Sequence, residues 1–106
     1  MAKFMIEASY TAEGLRGLQK DKASGRRAAV MQAFESAGGK LDAMYFALGK
    51  YDVIAIADLP DAASAAAIAI TVSASGLVRT RTTALMTVEE TDAALQKSMT
   101  YKPPGK

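Results

Sequence analysis

Residues 48–60 read LGKYDVIAIADLP. Gly49-Lys50 is a tight-turn candidate, because glycine supplies the positive φ that a short hairpin asks for. Residues 51–59 follow as a strand with β-branched Val53, Ile54 and Ile56 at its centre. Apolar residues occur at both parities, which predicts burial on both faces. Pro60 then suits the start of a helix, where a missing N–H costs nothing, and Asp58 or Asp61 can accept from the first amides. One short stretch therefore holds the end of a hairpin, a central strand and the entry to a helix.

On the N-terminal side, residues 40–48 (KLDAMYFAL) form the other arm of the hairpin. Before it, a helix is expected from about Ala23, preceded by Leu15 and Leu18. Ala23, Val30, Ala33, Phe34 and Ala37 share one face, and Gly38-Gly39 ends the helix in the left-handed manner. Residues 3–10 (KFMIEASY) alternate Phe4, Ile6, Ala8 and Tyr10 against Lys3, Met5, Glu7 and Ser9, the period of a strand. Residues 11–14 break it. On the C-terminal side, the helix begun at Pro60 runs to about Ser75 and Gly76 caps it. Residues 77–87 form a fourth strand, and Thr87 with Glu90 has the spacing of a capping box for a last helix. A single domain over residues 1–101 and a disordered tail over 102–106 are expected.

The order is β-α-β-β-α-β with a terminal helix. Right-handed crossovers put the first and third strands in the middle and both helices on one face. The predicted architecture is a ferredoxin-like α+β sandwich whose other sheet face is bare. The second helix bears on what covers such surfaces. Residues 62–78 carry no charge, and Ser64, Thr71 and Ser75 are its small polar stripe, with Ala, Ile and Val nearly all round. A helix so short of charge is rarely solvated along a whole side, which points to a homo-oligomer, at least a dimer.

Composition narrows the chemistry. The 106 residues include no His and no Cys, so ordinary zinc, haem, iron–sulfur and thiol chemistry and any His-dependent triad are excluded. No metal site and no cofactor are expected; carboxylates, Tyr, Lys, Arg and hydroxyls are what is left for binding or catalysis. The absence of Cys fits a cytoplasmic location. Half the residues are hydrophobic, but 22 of those are Ala, so the core has to close on small side chains. Net charge is +2, and removing Lys102 and Lys106 leaves a neutral body without the basic stripe of a nucleic-acid binder. The uncharged run is too short and weakly apolar to span a membrane, and no leader pattern opens the chain.

Residues 48–53 (LGKYDV) resemble the signature of the GYD domain family, a group of small bacterial and archaeal proteins. The resemblance extends over roughly residues 3–92. It includes Tyr10-Thr11 with Glu13-Gly14, Arg26-Arg27, Gly38-Gly39, Pro60-Asp61 and residues 76–82 (GLVRTRT). It implies a ferredoxin-like fold of the dimeric α/β-barrel kind and no particular activity.

Five residues are candidates for a ligand site: Glu7, Tyr51, Asp52, Arg79 and Arg81. Asp52, Ile54, Ile56 and Asp58 share one face of the third strand, Glu7 and Ser9 one face of the first, and Arg79, Arg81 and Thr83 one face of the fourth. If these faces coincide, acids and arginines meet on the bare side of the sheet, either as an anion pocket or as cross-strand and inter-subunit ion pairs. Tyr51 is read as pocket-lining, and Asp52 as a cap on turn amides. Arg26-Arg27 opposes the dipole at a helix start and reads as a solvated end or an anion contact. The six Met residues read as packing. Three functions fit: a domain binding a small, anionic metabolite in a sheet-face or inter-subunit pocket; a cofactor-independent enzyme using Tyr, Asp and Arg; or a purely structural assembly subunit.

Overall fold

A computed structural model describes all 106 residues. The elements are β1 (Ala2–Tyr10), α1 (Ala12–Ser36), β2 (Lys40–Phe46), β3 (Val53–Leu59), α2 (Ala62–Ala74), β4 (Val78–Leu85) and α3 (Val88–Leu95). The strands form one antiparallel sheet in the order β2-β3-β1-β4. This is the α+β, ferredoxin-like arrangement expected from the element order, with β1 and β3 in the middle.

Helices α1 and α2 cover one face. Phe4, Ala55, Ala57 and Leu59 from the sheet meet Phe34 of α1 and Ala65 of α2 in the core, with Ile6, Val30 and Ile68 at its margin. Small residues on β3 let the helices approach, and Ala57 and Leu59 are wholly buried. The expected double-sided burial of β3 is not met within one chain. Val53, Ala55, Ala57 and Leu59 are buried, whereas Ile54, Ile56 and Asp58 are half-buried, because no helix lies on their side.

Several boundaries differ from expectation. Residues 11–14 do break the strand, but by starting a helix. Thr11 is the N-cap and its hydroxyl accepts from the Gly14 amide at 3.2 Å, so α1 begins eleven residues before Ala23. Gly14 permits this start: a Cβ there would stand 2.1 Å from the Leu77 carbonyl oxygen. The Thr11 amide donates to that same carbonyl at 2.9 Å, tying the first helix to the last strand. The helix then breaks at Lys22 (φ 66°, ψ 166°), a conformation close to one held almost only by glycine. The hairpin turn is not a two-residue one; residues 47–52 connect β2 to β3, and a bulge sits between Leu41 and Ala43.

Helix α2 starts at the Asp61 cap, whose carboxylate accepts from the Ser64 amide and hydroxyl, both at 2.8 Å. These bonds hold the Asp61 carboxyl below its ordinary range. Asp58, the other candidate cap, pairs with Lys3 instead. Only Ala65 of α2 is buried; Ala66 is exposed in the single chain and Ala69 half-buried. Helix α3 has its Thr87–Glu90 capping box, which holds Glu90 below its ordinary range through the Thr87 amide and hydroxyl. This helix and the residues after it stand off the sandwich, with Val88 and Leu95 of α3 and Met99 and Tyr101 beyond it on the outside. The chain is accordingly elongated, 56 × 32 × 23 Å. Its radius of gyration is 16.9 Å, against about 13 Å for a compact chain of this length. No helix is long and apolar enough to cross a membrane.

Candidate functional site on the open sheet face

The strand register answers the question of parity. Glu7 of β1 lies opposite Ile54 on one side and Arg81 on the other, Ser9 lies opposite Arg79, and Met5 lies between Ile56 and Thr83. In an antiparallel pair, opposed residues point to the same face. Glu7, Ile54, Ile56, Arg79 and Arg81 therefore share the face that α1 and α2 leave open.

That face has three zones. Met5, Ile54 and Ile56 form an apolar middle. At one end, Lys3 Nζ bridges Asp42 and Asp58, at 2.9 Å to Asp58. The Lys3 hydrogen bond is the main cause holding the Asp58 carboxyl below its ordinary range, and the two acids raise Lys3. At the other end is Arg81, which is kept all the more firmly protonated by the hydroxyl oxygen of Tyr51 and, after it, by the charge of Glu7. Lys50 Nζ lies 5.7 Å from the centre of the Tyr51 ring. The four ion pairs of the chain involve Lys3, Arg26 and Lys40. Arg79 and Arg81 are in none of them.

The five sequence candidates are thus partly assembled. Glu7, Tyr51 and Arg81 come together, and Arg79 is two residues along β4 on the same face. Asp52 belongs to a different piece of architecture. Its Oδ2 accepts from the Tyr10 amide at 2.8 Å, its own amide donates to Ala8, and its carbonyl accepts from Ala47, both at 2.8 Å. It fastens the end of β1 to the β2–β3 connection. The Lys3, Asp42 and Asp58 group is absent from the sequence-based set. Lys3 and Asp58 show in sequence only as charges at strand ends, and the bulge that turns Asp42 toward them has no local signal.

A four-stranded antiparallel sheet backed by two helices, with a terminal helix standing clear, makes this a ferredoxin-like α+β protein. The chain belongs to the GYD domain family, whose pattern matches residues 4–95, from β1 through α3. No curated protein and no solved structure matches it.

Proposed function

We propose that the protein is a self-associating domain that binds a small anion. Two copies pack their open sheet faces together, and Arg79, Arg81 and Tyr51 hold the anion in the pocket so formed. The observation that carries this reading is the pairing of two arginines free of intramolecular ion pairs with a half-buried apolar strip on one uncovered face. Two guanidinium groups and the Lys50 ammonium against the Glu7 carboxylate leave that end with an excess of positive charge. The planar fork of Arg suits an oxyanion, and the Tyr51 hydroxyl adds a directional bond. Burial of Met5, Ile54 and Ile56 drives the association. The outward apolar residues of α2 and α3, Ile70 and Leu95 among them, give the second copy more to cover.

Sedimentation velocity at low micromolar concentration, with sulfate as the anion probe, tests the reading. The wild type is expected to sediment as a dimer or larger, and Ile56→Glu as a folded monomer. Changing Arg79 and Arg81 together to Gln is expected to abolish sulfate-dependent amide shifts on β4 while the fold persists. A wild-type monomer, or sulfate shifts unaffected by the double change, overturns it.

A further inference from the structure

The opposite side of the sheet holds a separate cavity. Between α1, α2 and the covered face lies an apolar cavity of about 80 Å³, room for a short aliphatic chain. Its sixteen lining residues are all hydrophobic except Thr80, Thr82 and Arg26. Ala33, Ala55 and Ala69 stand where larger side chains would fill the space.

Arg26 is the one charge on this wall, and its position there is poorly served. Its Nε is shut off from solvent and has no hydrogen-bond partner. Its only ionic neighbour is Asp21, 3.9 Å from Nη1, too long for a hydrogen bond. A buried N–H without an acceptor is destabilising, and more so on a charged group. The adjoining backbone is strained too: Lys22, one turn earlier, holds the near-glycine conformation that breaks α1 and sets the start of the helix segment carrying Arg26. Read from sequence as a solvated helix start with Arg27, Arg26 instead lies within α1 at helical spacing from Val30 and Ala33 on the wall of the cavity, whereas Arg27 is exposed.

We infer that this cavity binds a short-chain aliphatic carboxylate, its tail among the alanines and Val30, Ile68 and Val72, and its carboxylate on the guanidinium of Arg26. A carboxylate meeting the guanidinium edge takes Nε and one terminal nitrogen together, the two-bond geometry that Arg favours. It supplies the acceptor that Nε lacks. Because that edge is closed to solvent, Arg26 turns about its side-chain torsions to admit the ligand. The apolar wall selects for an alkyl tail, which a sulfate or a phosphate does not have, so this ligand differs in chemistry from the anion of the open face.

Hexanoate, with neutral hexanamide of equal length as control, tests the assignment by amide chemical shifts on the full chain. Saturable binding in the millimolar range or tighter is expected, with shifts at Ala33, Ile68, Ala69 and Val72. Hexanamide and the Arg26→Gln protein are each expected to bind about tenfold more weakly, and Arg26→Lys to fall between, having charge without the fork. Arg26→Gln also removes an unpartnered N–H, so its melting temperature is expected to equal or exceed the wild type's. Ala69→Leu fills the space and is expected to abolish binding with the fold intact. Equal binding of hexanoate and hexanamide, undiminished binding to folded Arg26→Gln, or shifts confined to Arg79 and Arg81 overturns the assignment. The last outcome leaves the open-face reading standing.

Discussion

The two faces of the sheet are built from alternate residues of the same strands and do opposite things. On the covered face, Phe4, Ala55, Ala57 and Leu59 are buried against α1 and α2. On the open face, Met5, Glu7, Ile54, Ile56 and Asp58 have neighbours only in the sheet plane. One face is held by close packing of small residues, so it tolerates little change in volume. The other is held by hydrogen bonds and charge at its two ends, so it responds to pH and salt. The contrast shows why period-two alternation located the core while leaving the partner of the second face undetermined.

The largest expected effect is on the covered face. Leu59 has no exposed surface, and Leu59→Ala is expected to cost about 2–5 kcal/mol, read from urea unfolding. If the loss were as small as that of an open-face change, the division between packed and unpacked faces would fail. A middle effect is expected at Asp52. Removing its carboxylate orphans the Tyr10 amide, and Asp52→Ala is expected to lose about 1–2 kcal/mol. Tyr51→Phe on the neighbouring residue should leave unfolding nearly unchanged and weaken sulfate binding, so the pair divides architecture from recognition.

The smallest effect concerns pH. Asp58 has its carboxyl lowered by Lys3, so its contribution is fully present above the ordinary Asp range near 3.8 and is lost as pH falls through the lower folded value. Lys3 is raised, so its contribution is present below its ordinary 10.5 and is lost as pH rises through a still higher folded value. Asp58→Asn is therefore expected to flatten part of the acid limb of stability against pH by lowering stability slightly at neutral pH while leaving the low-pH end unchanged. An unchanged acid limb would place the acid sensitivity elsewhere, with Asp61 and Glu90 next in line.

The element order, the central pair of strands and the covered face were legible in the sequence because they rest on local periodicity and on glycine and proline punctuation. Thr11 was not recognised as a cap, since the helix it opens has Gly14, Gly17 and Gly25 in it and the weak apolar pattern such residues give. Gly14 is there for contact with Leu77, a contact 63 positions away in the chain that no window reveals. Glu7 and Arg81 were singled out by parity within their own strands and Tyr51 by its place after the Gly49-Lys50 turn, but their meeting needed the register between strands. The Lys3, Asp42 and Asp58 group depended on a bulge, and so lay beyond the reach of alternation. Arg26 was read with Arg27 as a solvated helix start because the helix was expected only from about Ala23; neither the earlier start at Ala12 nor the small-residue cavity beside Arg26 has a local signal.

The register of β1 has one more consequence, for the order of events during synthesis. This strand is made first, yet both its neighbours, β3 and β4, come much later. Lys3 must wait for Leu85 before its second partner exists. Until then the sheet's future centre is a strand with unpaired edges, and the local β2–β3 hairpin is the only strand pairing that can form early. Long-range pairing of this kind slows folding and lengthens the life of exposed strand edges. Nascent chains stalled before β4 should therefore be markedly more prone to aggregate than chains released after it.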